Sequence, residues 1–573
     1  MLLLAGRLSA SRVSCVAHWT VLLRALFITA IGCSGPPPTS PVNLSRGLEA
    51  RVNLDAHSRE VIVTPDAAPP SALGAACTGE QQCGADHRCL PMPGGYCASA
   101  CGVTGAPCDG ACVETPGSGE LCLASCSSDA ECRTTEGYTC DRQWRACMIP
   151  NTAAIVPREC GQLPGIGRDP AFAPTTALST AASPGSFQLE PSTVVTDDGA
   201  LVALYLTRGA ITDGNVLGLA KLDTVGRTAL DLPFATGRAN NFDPWLARDA
   251  KGKLYAVWLA FDARDATQEI AMSMSSDRGQ TWSPPVAVHE PGDCAEGEAD
   301  CLGRPMVVVG PDPLRRGKEI VYVAYAAGGL RVRASRDGGA TFGPARTPIA
   351  GARGDLAVGA DGLLYVVALN GGPGGAFGSA DHVIEFVASG DGGARFTTPR
   401  RLSRHGEMLP FYFSNPSVVV DDRRRWIYVA YTRGGRDGKW DLVIVASKDK
   451  GKTWTRARIG DDPPCAIHMV PNLALDPTTG QLHVAWYDSH GPRFAHAVCV
   501  QGAATCRQVG RINDVPFAAL STVRHGAKWV GEYQSLVVDP ARRTLHATWT
   551  QPVDDGGKIV SRIFHAKAKL PPK

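Results

Sequence analysis

The sequence predicts an all-β chain of repeated antiparallel sheets behind a small disulfide-rich module. Three observations predict it. Short apolar runs with period-two alternation recur after Cys160, roughly every 50 to 60 residues. Four turns in that region repeat one pattern, Ser-x-Asp-x-Gly-x-(Thr/Arg)-aromatic. Twelve of the 20 cysteines crowd between Cys77 and Cys147. Units of that length, each forming one four-stranded sheet, are blades, so the architecture expected is a β-propeller.

Seven units can be counted. Their second strands are read at Leu201–Leu206, Leu254–Leu259, Ile320–Ala326, Leu364–Leu369, Trp426–Thr432, Leu482–Tyr487 and Leu545–Thr550. Six of them carry an aromatic near the end: Tyr205, Trp258, Tyr325, Tyr431, Trp486 and Trp549. Seven units imply seven blades. Six remain the alternative if residues 160–240 partly form a cover or a closing strand.

Composition narrows the class. The net charge is +2 with the charges well mixed, which gives no footprint for nucleic acid. Glycine (63) and proline (42) suit a turn-rich β-protein with an extended linker. No apolar run reaches the roughly 18 residues that span a bilayer.

Residues 1–32 read as a secretion signal, with Arg7, Arg12 and Arg24 ahead of the apolar run Ala25 to Ile31. Ala30-Ile31-Gly32-Cys33 resembles a bacterial lipoprotein cleavage site, so Cys33 is expected to take the lipid. Ordinary secretion is the alternative. Residues 33–76 are rich in Pro, Ser and Ala and read as a disordered tether. The expected location is the cell envelope or outer surface, with membrane contact only through the lipid anchor.

Residues 77–150 hold a triplicated cysteine pattern. The groups are Cys77, Cys83, Cys89 and Cys97; Cys101, Cys108, Cys112 and Cys122; and Cys126, Cys132, Cys140 and Cys147. Units this short bury little core, so two disulfides per unit are the simplest count, with the connectivity open. Zinc fits less well, because the spacings are not Cys-x2-Cys and the compartment is oxidising. Residues 160–573 form the propeller. There Cys294 and Cys301 bracket one loop, and Cys499 and Cys506 another, with the same spacing. Counting leaves Cys160 and Cys465 to bridge each other.

The four repeated turns are Ser275-Ser276-Asp277-Arg278-Gly279-Gln280-Thr281-Trp282, Ser335-Arg336-Asp337-Gly338-Gly339-Ala340-Thr341-Phe342, Ser389-Gly390-Asp391-Gly392-Gly393-Ala394-Arg395-Phe396 and Ser447-Lys448-Asp449-Lys450-Gly451-Lys452-Thr453-Trp454. In each, the Asp can accept backbone N–H bonds across a hairpin, and the Gly supplies a positive φ. This is the Asp-box, and on it the chain resembles the sialidase-like (BNR-repeat) β-propellers. The resemblance implies that the boxes lie on blade edges and take no part in chemistry.

Ligands of a propeller gather where the inner strands begin. Aligning the seven first strands on the Asp that ends them, with Thr196 in that place in the first, puts Glu190, Asp243, Arg304, Asp355, Asn415, Val470 and Tyr533 just before them. Proline follows in five: Pro191, Pro244, Pro305, Pro416 and Pro471. The polar members, Glu190, Asp243, Arg304, Asp355, Asn415 and Tyr533, are the expected ligand set for a polar, sugar-sized molecule.

Sialidases grip a carboxylate with three arginines and use a Tyr nucleophile, a Glu and an Asp acid/base. Their first blade opens with Arg-Ile-Pro. The matching place here reads Leu189-Glu190-Pro191, and Arg304-Pro305 is the nearest echo. Gly531-Glu532-Tyr533 looks like a late-blade opening of sialidase-like bacterial proteins, but adjacent strand residues point apart. The reading is therefore an exported receptor that binds a glycan or surface protein at the propeller mouth. A glycoside hydrolase of the sialidase-like class is the alternative, with Asp243, Asp355 and Tyr533 as catalytic candidates. A scaffold acting through the cysteine module stands third. No cofactor is expected. Glu190, Asp243, Asp355 and Glu532 could hold Ca2+, although no loop has EF-hand spacing. Arg353-Gly354-Asp355 spells an adhesion tripeptide that chance readily supplies. His483 and His546 share one place in their strands and read as packing residues.

Overall fold

The computed structural model describes residues 73–148 and 167–572. It leaves out 85–86, 102–107, 116–118, 142–144, 180–186, 209–214, 226–227, 263–266, 295–300, 371–382, 405–414, 435–439, 460–467, 489–492, 501–504, 518–529, 556–557 and a few single positions. The expected signal, the expected lipidation at Cys33, the tether up to residue 72 and the Cys160–Cys465 bridge fall outside the described residues; residues 73–76, read as tether, belong to the cysteine module instead, where Gly74 donates its N–H to the Cys97 carbonyl at 2.8 Å.

The described chain is all-β, with only three short 3-10 turns. In the first and third repeats of the cysteine module the first Cys pairs with the third and the second with the fourth, and in the second repeat the second pairs with the fourth. The bridges are Cys77–Cys89 and Cys83–Cys97 in the first repeat, Cys108–Cys122 in the second, and Cys126–Cys140 and Cys132–Cys147 in the third. Cys101 is disulfide-bonded as well. Each bridge closes 12 to 15 residues, a loop size worth about 3 kcal/mol of unfolded-state entropy.

The repeats also interlock. Tyr96 of the first and Tyr138 of the third are fully buried, with ring centroids 5.2 Å apart. The Arg133 guanidinium sits 4.5 Å from the Tyr138 ring centroid. The Tyr96 hydroxyl accepts the Ala124 N–H at 2.9 Å and donates to the Cys147 carbonyl at 3.2 Å.

Six sheets follow, over which the seven units counted in the sequence are distributed. Units two to six are separate four-stranded sheets in simple chain order. Their first strands are Asn240–Arg248, Gly303–Pro311, Arg353–Val358, Ser417–Asp421 and His468–Leu475. Unit one opens with Phe187–Val195 and unit seven with Ser535–Asp539, and these two units share one larger sheet. The last strand of unit seven, Lys558–Lys569, pairs with Thr176–Ala177, a strand that precedes unit one. The start and the end of the region after the cysteine module thus share one sheet. The first strands lie beside one another in chain order, and that of unit seven returns to that of unit one.

All seven second strands fall where the alternation puts them. Their aromatics Tyr205, Trp258, Tyr325, Tyr431, Trp486 and Trp549 are fully buried between units. Burying one such ring contributes about 2–3 kcal/mol. The loop bridges Cys294–Cys301 and Cys499–Cys506 form as paired in the sequence.

The four Ser-x-Asp turns share one geometry. In the first, Thr281 donates its backbone N–H to Asp277 at 2.9 Å and its hydroxyl at 2.5 Å. The Ser275 hydroxyl donates to Asp277 at 2.8 Å and accepts the Gly279 N–H at 2.8 Å. Gly279 has φ +82°, which few other residues could adopt there. The serine's double role was not evident from the sequence.

A strap before unit one is tied to units six and seven. Arg168 pairs with Asp514 at 2.5 Å, and Asp169 meets the His496 ring at 2.8 Å. His496 stacks on His483, and His546 on His565, with ring nitrogens 3.2 and 3.0 Å apart. All four rings are buried, so the packing role read for His483 and His546 matches their surroundings.

Candidate ligand site at the starting ends of the first strands

The starting residues of four first strands share a backbone departure. Glu190, Asp243, Arg304 and Val470 have φ of 58°, 51°, 50° and 54°. Each precedes a proline, and in each strand the pairing register shifts across the pair. Proline has no ladder N–H, so the X-Pro pair leaves the ladder as a bulge and re-aims the side chain before it. A non-glycine residue held left-handed costs of order 1–3 kcal/mol, a strain often kept at functional sites.

In four units the polar residue two places after the starting position ties one unit to the next. Ser192 Oγ accepts the Leu246 N–H at 2.9 Å, and Ser417 Oγ accepts that of Leu473 at 3.2 Å. Asn472 Oδ1 accepts Leu536 N–H at 3.0 Å, and Ser535 Oγ accepts Thr193 N–H at 3.2 Å. Asp355 makes the same bond, accepting the Val418 N–H at 2.9 Å.

That bond corrects the alignment in unit four. Asp355 pairs across the strand with Val367, as Ser192 does with Leu204 and Ser417 with Ala430. Asp355 is therefore a bridging residue, two places deeper than the starting position, which belongs to Arg353. The alignment counted back from Asp361, whereas the turn's first place is Gly359, whose N–H bonds the Leu363 carbonyl. Asp355 also accepts the Leu356 N–H at 2.8 Å. Burial pushes its carboxyl up to about 7, against the pull of these donors.

The other expected residues do converge. Arg304 of unit three is ion-paired with Glu532, and Arg353 of unit four lies 3.7 Å from the same carboxylate. The Glu532 N–H donates to Glu190 at 3.2 Å, and its carbonyl accepts the Asn415 side-chain amide at 3.0 Å. Asp243 accepts the Arg304 N–H at 3.0 Å. Gly531, with φ +79°, fits there because a Cβ would lie 2.6 Å from Glu190 Cγ.

Tyr533 turns away from Glu532. Its hydroxyl donates to the Pro244 carbonyl at 2.8 Å, and its ring lies 5.1 Å from Trp245. Burial, then the Glu190 and Asp243 carboxylates, raise its phenol well above the ordinary range. Six side chains from five units thus meet: Glu190, Asp243, Arg304, Arg353, Glu532 and Tyr533. Arg353 and Glu532 were not in the expected set. Glu532 was visible as the neighbour of Tyr533, and Arg353 only through the correct register.

No protein-family model matches this chain, and no curated protein matches it. Its structure is similar to a protein of unknown function from Dyadobacter fermentans (TM-score 0.43, 13% identity, covering 71% of this chain and 100% of that one). It is also similar to the NanB sialidase from Streptococcus pneumoniae (TM-score 0.41, 10% identity, 55% and 67% covered). A third is the GH93 α-L-arabinofuranosidase of Fusarium graminearum (TM-score 0.41, 14% identity, 57% and 98% covered).

Proposed function

We propose that the chain is an exported seven-bladed β-propeller that binds a polar glycan or protein ligand where its first strands begin. The single observation that carries this reading is the meeting of Arg304, Arg353, Glu532, Glu190 and Asp243 at that end. Polar side chains on rigid strands from several units are what a hydroxyl-rich ligand needs. The disulfides point to an oxidising compartment. Among the described residues no helix is long and apolar enough to cross a membrane. Lipidation at Cys33 would tether the module and propeller outside the cell.

Binding without turnover is favoured over hydrolysis by how the catalytic candidates are engaged. Asp355 caps a neighbouring strand, and the Tyr533 hydroxyl is given to the Pro244 carbonyl. A glycoside hydrolase remains the second reading, because Glu190 and Asp243 both act on the Tyr533 phenol. Hydrolysis of a panel of fluorogenic glycosides, sialosides included, separates the two. The receptor reading expects no turnover. Turnover abolished by Asp243→Ala establishes the hydrolase instead.

A further inference from the structure

A second cavity lies at the opposite ends of the first strands. It measures about 390 Å3 and opens between the ends of units one and seven, walled by Val194, Val195, Val537 and Val538. Arg248, the last residue of unit two's first strand, reaches into it. Its register place lies three residues past the bridging position. In the other six units that place holds Val195, Val309, Val358, Val420, Leu475 and Val538. Arg248 is thus one cation among six aliphatic side chains, all half-buried.

Among the described residues Arg248 makes no hydrogen bond or ion pair, and its Nε is shielded from solvent without an acceptor. The two carboxylates that line the cavity are paired with other arginines, one of which, Arg542, lines the cavity too. Asp197 pairs with Arg278 at 2.6 Å, and Asp539 with Arg542 at 3.1 Å. A partly buried guanidinium left unpaired is costly, and its planar fork fits one carboxylate. Asp197 and Asp539 nearby disfavour a doubly charged anion.

We infer that this cavity binds a small singly charged carboxylate with an apolar body, held by Arg248 against the valine walls. The site is separate from the ligand site at the starting ends and independent of it.

The test is 19F NMR titration of the full chain with 4-fluorobenzoate, beside its neutral isostere 4-fluorobenzamide. Arg248→Val installs the side chain that five units already carry, so the fold is retained. Arg248→Lys keeps the charge. The expected result is binding by the wild-type chain at millimolar concentration or below, weakened at least about tenfold by Arg248→Val. Arg248→Lys keeps part of it, the benzamide binds at least about tenfold more weakly, and Arg353→Ala changes nothing. Equal binding by Arg248→Val, equal binding of the benzamide, displacement by inorganic phosphate, or no binding at all overturns the inference.

Discussion

Arg353, on the first strand of unit four, lies 3.7 Å from the Glu532 carboxylate, which is carried just ahead of unit seven. The two units are not neighbours in the order of first strands. Their side chains therefore meet across the space those strands enclose, and Arg304 of unit three joins them on the same carboxylate. Glu532 is 4% exposed, so its charge is held by the two arginines rather than by water.

Removing that carboxylate should cost more than removing one cation. Glu532→Ala removes the buried carboxylate that both arginines approach and is expected to destabilise by about 3–5 kcal/mol. Arg353→Met leaves the Arg304 pair in place and should cost clearly less. Equilibrium urea unfolding of the two variants and the double mutant measures the coupling. Additive effects would contradict the shared ion cluster.

Asp355 supplies a test of its bridging role. Asp355→Ala leaves the Val418 N–H without its acceptor, at about 1–3 kcal/mol, whereas Asp355→Asn keeps an acceptor and should cost less. Its folded-state carboxyl titrates at about 7, above the ordinary value. The folded state then binds the proton more tightly than the unfolded state. The contribution is full at acid pH and is lost as pH rises from about 4 through 7. Asp355→Asn should remove that loss, as read by melting temperature between pH 4 and 8.

The buried histidine pairs give the opposite slope. Burial pulls His483 down to about 3 and His546 to about 4. His496, Asp476, Asp169 and Arg543 face the first ring, and Asp539, Lys567 and His565 surround the second pair. The unfolded chain binds the protons that the folded chain refuses. Stability is full above about 6.5 and falls with pH below it, by about 1.4 kcal/mol per unit for each group. Replacing His546 by Gln should flatten the acid limb of the melting profile. An unchanged limb would place the acid sensitivity elsewhere.

Reduction should separate the two β-regions. Five described bridges hold residues 77–147, whereas the seven units are held by buried aromatics and strand pairing. Under a reductant, amide exchange should rise throughout the cysteine module while the second strands stay protected. Parallel loss of protection in Leu254–Asp262 would contradict that division.

The strand pattern was legible because alternation repeats in every unit and a buried aromatic near the strand end in six of the seven. The paired loop cysteines were legible from their spacing. The proline after five of the starting residues was visible, but the left-handed turn it accompanies at Glu190, Asp243, Arg304 and Val470 was not, since the Pro-linked start at Asn415 lacks it. Unit four misled because Asp361 imitates the strand-ending Asp two places late, which exchanged Arg353 for Asp355. The pairing of Glu532 with units three and four depends on closure of the chain, which local sequence does not encode.

The most direct measurement is glycan-array binding by the full chain beside Arg353→Ala. The account predicts a defined glycan signal for the wild-type chain, lost or weakened at least about tenfold (about 1.4 kcal/mol) in the variant. A glycan signal that survives Arg353→Ala unchanged would contradict a binding site at the starting ends of the first strands.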